Sequence, residues 1–275
     1  MAEPEIRARA ELRHGRRTRV WASVGAIVLV VAAAGIGVGA LSGGDSGTEA
    51  RAPAPEATLA LEPATGANVS ADLGRVPFRA VATKGDDIAV FSAPDGNAEP
   101  MATLTKTTEY LLPRTLLAFD QYQDWLHVYL PTRPNSSTGW VKASDVNLST
   151  PLEWQIRVSL ADHHLWLLHN GAVEFDAGVA IGTEQYPTPT GTFYITDPID
   201  LHETPNLGYG VFALGLSGHS DVLTDFMGGD GQIAIHGTNN PGDIGRDVSH
   251  GCVRITNDSI ERLSMLPLGT PVVIT

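Results

Sequence analysis

Short runs of alternating apolar and polar residues recur from residue 87 to the end of the chain, a pattern typical of β-strands. In "WLHVYL", Leu126, Val128 and Leu130 alternate with Trp125, His127 and Tyr129, which predicts a half-buried strand. Glycine, proline and asparagine clusters separate this run from four others. These are Asp87–Phe91, Met101–Thr105, Thr115–Phe119 and Gly139–Ala143.

The strand pattern continues beyond residue 152. Gln155–Leu160 alternates, the pair Asn170-Gly171 predicts a hairpin, and "GTFYITD" and "GTPVVIT" predict further strands. One helix is predicted near Asn257–Met265, with Asn257 as its N-cap and Pro267 ending it. The expected fold is therefore mainly β, with a β-sandwich holding little helix in this region.

The stretch from Asp197 to Gly231 has little strand pattern and is rich in glycine. Two interpretations fit it: a lid over a cleft, or an ordinary surface excursion. Tyr209 within it is a candidate substrate contact.

The N-terminal stretch predicts a membrane anchor. Val20 to Leu41 carries no charge and would span roughly 33 Å as a helix, enough for a bilayer core. The six arginines before it lie on one side only, which places residues 1–19 in the cytosol and everything after Leu41 outside it. The alternative is a signal peptide cleaved at Ala40-Leu41-Ser42, giving a secreted protein. Residues 42–77, rich in Gly, Ala, Pro, Ser and acids, predict a flexible linker.

Residues 78–150 are predicted to form a small β domain. The turn "PTRPNSSTGWV", which leads to Trp140, resembles the end of bacterial SH3-like barrels. The resemblance implies an SH3-like barrel between the linker and a second domain at 152–275.

Charge and cysteine content narrow the function. The net charge of −13 leaves little to neutralise phosphates, so nucleic-acid binding is not expected. Cys252 is the only cysteine, which rules out an internal disulfide and leaves a small core residue or a reactive thiol. Its setting, "SHGC", favours the thiol because Gly251 frees the backbone and polar groups crowd both sides.

A cysteine nucleophile needs a base, and His236 at the end of a predicted strand is the candidate. A neighbouring imidazole takes the thiol proton and raises the thiolate fraction, and a carbonyl near Gly237 would hold the tautomer. The amides of Gly251 and Cys252 are candidates for an oxyanion hole. The alternative is a metal site with ligands from His236, His250 and Cys252, completed by His219 or Asp243, but the spacing fits no compact zinc motif.

The block "IHGTNNPGDIGRDVSHGCVRITN" resembles the signature of the L,D-transpeptidase catalytic domain, the YkuD family. "YPTPTGTFYI" and "LGTPVVI" resemble two further stretches of that domain, so the resemblance covers Trp154 to Thr275. It implies that Cys252 is the nucleophile, His236 the base and the Gly237 carbonyl the group that orients the base. It also implies that Ser249, His250 and Gly251 line the site, with Thr238 and Arg254 near the acyl-donor stem. Some members carry asparagine at the position of Arg254.

The resemblance further implies a peptidoglycan L,D-transpeptidase that needs no cofactor or metal. Stem peptides would be its substrates, joined by 3→3 cross-links through a cysteine thioester, and carbapenem β-lactams would be inhibitors. Three alternatives stay open: an L,D-carboxypeptidase, an enzyme that attaches proteins to stem peptides, and a non-catalytic cell-wall-binding protein.

Overall fold

The computed structural model describes residues 78–203, 208–225 and 229–275. The predicted basic tail, anchor and linker lie outside this part of the chain. Within the described ranges, no helix has the length and apolar character needed to cross a bilayer.

Residues 79–151 form a five-stranded sheet and a separate hairpin. The sheet has the order β6-β5-β4-β1-β7, all neighbours antiparallel, and β2 pairs with β3. The strands are β1 (Arg79–Thr83), β2 (Ile88–Val90), β3 (Ala102–Leu104), β4 (Thr115–Tyr122), β5 (Trp125–Tyr129), β6 (Thr138–Lys142) and β7 (Val146–Pro151). All five predicted strands are present, and β1 and β7 are additional. The SH3-like character of this region stays a prediction.

The rest of the chain forms an eight-stranded sheet with the order β10-β9-β8-β17-β12-β13-β14-β16, while β11 pairs with β15. Its strands are β8 (Trp154–Ser159), β9 (His164–His169), β10 (Ala172–Gly178), β11 (Ile181–Gly182), β12 (Gly191–Asp200), β13 (Phe212–His219), β14 (Gln232–His236), β15 (Asp247–Ser249), β16 (Val253–Arg254) and β17 (Pro271–Ile274). The predicted hairpin at Asn170-Gly171 is confirmed, with both residues at positive φ as a tight two-residue turn requires.

Strand β12 links the two halves of this sheet. Its first residues pair with β17, its last residues pair with β13, and the register shifts between Ile195 and Asp197. Buried side chains from both halves, such as Ile156 on β8 and Leu214 on β13, belong to one core cluster. The mainly β prediction with little helix is therefore confirmed.

Helix α1 (Asn257–Leu263) packs Ile260 and Leu263 into that core. The prediction of Asn257 as N-cap is wrong, because Thr256 is the cap and its side chain accepts the Ser259 N–H at 3.3 Å. The Asn257 side chain is used elsewhere: its Oδ1 accepts the N–H of Val211 at 3.3 Å. The helix also ends before Pro267.

Strand β13 corrects the interpretation of residues 197–231 as a lid or surface excursion. All eight residues of Phe212–His219 are buried, and the strand lies between β12 and β14 inside the sheet. A strand that is covered on both faces has no alternation of apolar and polar residues, so the alternation rule does not predict β13.

Tyr194 on β12 joins the two sheets. Its side chain is fully buried among the core residues of the five-stranded sheet, including Val81 and Leu116. Its hydroxyl has no hydrogen-bond partner among the described residues, and burial raises its pKa. The ring thus fills an apolar site while the hydroxyl loses its hydration.

We expect Tyr194→Ala to lower the free energy of unfolding by about 3–5 kcal/mol, because it leaves a cavity between the sheets. Tyr194→Phe keeps the ring and removes the unpaired hydroxyl, so it should be neutral or stabilising by about 1 kcal/mol. Urea unfolding of the three proteins measures both effects. A Tyr194→Phe variant as unstable as Tyr194→Ala would show that the hydroxyl has a partner.

Candidate active site

Two adjacent parallel strands bring Cys252 and His236 to the same edge of the sheet. Strand β14 pairs with β16 so that Ile235 lies opposite Val253 and His236 opposite Arg254. Cys252 directly precedes this paired segment and is level with Ala234, whose backbone hydrogen-bonds the thiol. The register therefore places the predicted nucleophile and base on neighbouring segments of the sheet.

His236 is buried and held in one tautomer. Its Nδ1 donates to the carbonyl oxygen of Gly237 at 2.6 Å, which is the contact predicted for this carbonyl. Since Nδ1 carries the proton, Nε2 is left with a lone pair that accepts one.

Two glycines, Gly210 and Gly237, allow the backbone next to His236 to pack closely. Gly210 has φ +67°, and a methyl group added there would overlap the backbone of Gly237. A methyl added to Gly237 would in turn overlap Asn257 Oδ1. Close approach of these three residues sets the position of the carbonyl that orients the base.

Gly210→Ala should lower kcat/KM by at least tenfold, because the displaced Gly237 carbonyl no longer orients His236. It should also cost about 1–3 kcal/mol of stability from overpacking, in addition to the strain of positive φ. The matched control is Gly208→Ala, since Gly208 also has positive φ but has open space around its Cα. Steady-state kinetics and urea unfolding measure the difference. Equal effects of the two variants would contradict this role.

The cysteine loop is braced by Ser249. The buried Ser249 hydroxyl donates to the Cys252 carbonyl at 2.6 Å and accepts the Gly251 N–H at 3.1 Å. Gly251 has φ +116°, which a side chain would strain. This differs from the predicted oxyanion pair, because the Gly251 amide is already bonded. The Cys252 amide donates to no acceptor in the described part of the chain.

Arg254 brings a positive charge to the site. Its Nη1 donates to Asp243 Oδ2 at 3.2 Å, and its Nε is buried without a hydrogen-bond partner among the described residues. Its charge favours the thiolate of Cys252 and disfavours protonation of His236. An unpaired buried donor beside the dyad is a group that a substrate oxygen would satisfy.

Burial sets the resting protonation of the dyad. It raises the pKa of the Cys252 thiol, against the opposing effects of the Ala234 backbone and Arg254. Burial also lowers the pKa of His236 to about 4, a shift that Arg254 reinforces and the carbonyls of Gly237 and Tyr209 oppose. Both shifts favour the neutral forms, a thiol and an imidazole, in the resting pair.

The other predicted site residues take different places. Tyr209 lies against the base, with its ring edge-on to His236 at 4.8 Å between centroids, and burial followed by the Cys252 charge raises its pKa. Thr238 is buried, and its Oγ1 accepts the Asn240 N–H at 3.0 Å, so it braces the return loop. His250 is exposed, with its ring 4.9 Å from that of Tyr186.

Sequence reasoning missed three residues around the dyad. Gly210 and Asn257 support the Gly237 backbone, and Tyr186 supports His250. Tyr186 begins the quoted "YPTPTG" motif, which was the available signal. Gly210 and Asn257 are distant in sequence from His236, so their contact follows only from the fold.

The residues proposed as alternative metal ligands are engaged in other contacts. His219 Nε2 bonds Asp230 at 2.8 Å, and Asp243 pairs with Arg254. Within the described ranges, no group of three or more His, Cys, Asp or Glu side chains is arranged to hold a metal ion.

Comparison with known proteins decides the family. The sequence profile of the L,D-transpeptidase catalytic domain, YkuD, matches residues 153–274. The L,D-transpeptidase-family protein YkuD of Bacillus licheniformis is 35% identical over 127 residues, which cover 45% of this chain and 67% of that protein. The chain belongs to the YkuD L,D-transpeptidase family.

Two Bacillus subtilis members of the family match the same part of the chain. YkuD is 37% identical over 124 residues, which cover 45% of this chain and 66% of that protein. YqjB is 34% identical over 122 residues, covering 43% and 69%. The chain thus spans about two thirds of the length of these relatives.

Solved structures are also similar. An L,D-transpeptidase from Mycobacterium tuberculosis H37Rv aligns with a TM-score of 0.41 at 12% identity, over 59% of this chain and 90% of that chain. The catalytic domain of the Enterococcus faecium L,D-transpeptidase acylated by ertapenem aligns with a TM-score of 0.34 at 20% identity, over 46% and 100%.

Proposed function

We propose that this family member is a cysteine-dependent L,D-transpeptidase that forms 3→3 cross-links between peptidoglycan stem peptides. The observation that carries the proposal is the His236 tautomer: Nδ1 donates to the Gly237 carbonyl, so the lone pair of the neutral imidazole is on Nε2, which would take the proton of Cys252 beside the neighbouring strand. Family membership supports the choice of an acyl-transfer reaction.

In the first step the thiol attacks the carbonyl carbon between the L-centre of the stem's diamino acid and the terminal D-alanine. The Sγ proton moves to His236 Nε2 as the C–S bond forms, which a neutral imidazole permits. The Cys252 N–H would donate to the oxyanion that forms. His236 then gives its proton to the D-alanine nitrogen, the C–N bond breaks, and a thioester remains.

In the second step an amine of another stem peptide attacks the thioester. His236 accepts a proton from the amine, the C–S bond breaks, and the thiolate recovers that proton. Water in place of the amine would make the enzyme an L,D-carboxypeptidase, and a protein amine would attach a protein to the stem. The three acceptors share the first step and differ only in the second.

Incubating the protein with tetrapeptide-bearing muropeptides tests the reaction. Mass spectrometry should find dimers with the mass of two stems minus one D-alanine. Tripeptide monomers alone would identify a carboxypeptidase, while attachment to an added protein would identify the third acceptor. Unchanged muropeptides would favour the non-catalytic cell-wall-binding protein.

Carbapenem β-lactams should acylate Cys252. Their strained ring presents an acyl carbon to the same thiol, and ring opening keeps the leaving nitrogen attached. Intact-protein mass spectrometry should show one adduct that is absent from Cys252→Ala. An adduct that survives this substitution would place the reactive group elsewhere.

We further propose that Val20 to Leu41 anchors the protein with its C-terminal domains outside the cytoplasm, and that residues 42–77 tether them. The uncharged run and the one-sided arginines support this topology. The protein should stay with membranes after a high-salt wash and be digested by protease added from outside. A soluble exported form starting near Ser42 would instead identify a cleaved signal peptide.

A further inference from the structure

A turn of the five-stranded sheet contacts residues 220–225 and 229–231, the described parts of the connection between β13 and β14, and these two parts are called the connection below. The turn, residues 131–137, joins β5 to β6. Arg133 Nη2 donates to main-chain carbonyls at both ends of the connection: Ser220 at 3.2 Å, Leu223 at 3.0 Å and Asp230 at 2.6 Å. One side chain thus joins the start of the connection to its end.

Asn135 of the same turn adds a paired contact to the end of β13. Its Nδ2 donates to the His219 carbonyl at 2.7 Å, and its Oδ1 accepts the His219 N–H at 2.9 Å. Nδ2 also lies 3.0 Å from Asp221 Oδ1. The amide side chain pairs with the His219 backbone as a neighbouring strand would.

Hydrogen bonds join the two described parts of the connection around the carbonyls that Arg133 binds. The Ser220 N–H donates to the Gly231 carbonyl at 2.8 Å, and the Ser220 hydroxyl accepts the Leu223 N–H at 3.1 Å. Gly231 has φ +80°, and a methyl group there would overlap the Leu223 carbonyl and approach Arg133 Nη2. The glycine allows the two ends to meet under the guanidinium.

This connection lies beside the cysteine loop. Ser220 Cβ is 4.0 Å from the position that a methyl group on Gly251 would occupy. Gln232 directly follows the connection, begins β14 and leads to His236. A shift of the connection would therefore displace both members of the dyad: Cys252 through the cysteine loop, and His236 through β14.

We infer that Arg133 and Asn135 are positioning residues, through which the five-stranded sheet holds the connection as a wall of the cleft beside Cys252. The inference rests on the proposed function, because the wall would set the fit of the stem peptide. The small-molecule reactivity of the dyad does not need it, since neither residue contacts Cys252 or His236. Recognition of the peptide thus depends on a contact made by the N-terminal β region.

The test compares full-length wild type with Arg133→Ala, Asn135→Ala and Arg133→Lys. Arg114→Ala is the matched control, because the hydrogen bonds of the Arg114 side chain among the described residues go to Thr105 and Thr107 within its own region. Backbone hydrogen exchange at Ser220, Val222 and Leu223 should be at least fivefold faster in Arg133→Ala and Asn135→Ala and unchanged in the control. KM for the stem peptide should rise about tenfold, with kcat and the rate of Cys252 alkylation by iodoacetamide within twofold of wild type. Arg133→Lys should give an intermediate KM, because an ammonium reaches fewer of the carbonyls at once.

Unchanged exchange rates would overturn the inference, and so would faster exchange with an unchanged KM. If the variants lose both stability and thiol alkylation, the contact has a purely structural role, and the inference is overturned as well. If the wild type turns over no stem peptide, the proposed function fails. The inference is then decided by two measurements: backbone hydrogen exchange, and the rates at which a bulky maleimide and iodoacetamide alkylate Cys252. A displaced wall should change the maleimide rate at least threefold and leave the iodoacetamide rate unchanged.

Discussion

Cys252→Ala should lower kcat on stem peptides by at least about 10⁴-fold, the scale on which removal of a covalent nucleophile acts. The fold should be unaffected. Cys252 is the chain's only cysteine, so no disulfide is lost, and the change removes a single sulfur atom. Cys252→Ser should be nearly as inactive, since a hydroxyl is a far weaker acid than a thiol and His236, with its pKa lowered to about 4, is a weak base.

The measurement is the rate of D-alanine release, together with urea unfolding of each variant. Ser264→Ala at the end of α1 is the control for a change of one side-chain atom away from the site, where the hydroxyl donates only to the Glu261 carbonyl. Residual activity above about 1% of wild type would remove Cys252 from the role of nucleophile. Loss of activity together with unfolding would show a structural cysteine.

The periodic strands were the predictable part of the fold. Leu126, Val128 and Leu130 alternate with more polar residues, and all three are buried, the first two on β5 and Leu130 directly after it. Strand β13 was not predictable by the same rule, because both of its faces are covered. The start of α1 gave a third outcome. Thr256 and Asn257 are both capping residue types, and the structure decides between them: Thr256 accepts the Ser259 N–H, while Asn257 accepts the Val211 N–H.

The site, like the fold, has features that the sequence predicts and features that depend on tertiary structure. The motif residues Cys252, His236 and Gly237 are close in sequence or in register, and the contact between the last two is the predicted one. The protonation of the pair was not predictable, because it depends on how deeply the fold buries both groups. The bond from Gly251 to Ser249 likewise follows from the loop's conformation and not from its sequence.

The predicted boundary near residue 151 falls at the end of β7 (Val146–Pro151), before β8 (Trp154–Ser159), and side-chain contacts cross it. Tyr194 belongs in sequence to the C-terminal region, yet its side chain lies in the core of the five-stranded sheet. Arg133 reaches in the opposite direction, from the N-terminal region to Asp230. Such contacts between residues distant in sequence leave no local pattern.

Replacing His236 should be almost as severe as replacing Cys252. His236→Asn should lower kcat/KM by about 10⁴-fold, because the thiol pKa is raised by burial and its proton has no other acceptor in place. The matched control is His164→Asn on β9, whose ring bonds Asp176 on β10 at the far edge of the sheet. It should stay within twofold of wild type.

The pH profile distinguishes a buried base from an ordinary histidine. The imidazole is a base only when neutral, and burial lowers its pKa to about 4. The acid limb of kcat/KM should therefore fall near pH 4, well below the value of about 6.5 for an exposed histidine. An acid limb centred near pH 6.5 in an intact protein would contradict the lowering of the His236 pKa by burial.

The same shift should appear in stability. Between about pH 6.5 and 4 the unfolded chain binds a proton at this residue and the folded chain does not. The free energy of unfolding should therefore fall as pH falls through this window, by about 3 kcal/mol from this residue when the pH is below 4. His236→Asn lacks the titrating group, so its urea-unfolding curves at pH 7, 5.5 and 4 should show that much less pH dependence than those of wild type. Equal pH dependence in the two proteins would mean that His236 is protonated in the folded state as readily as in the unfolded chain, which would contradict the lowering of its pKa by burial.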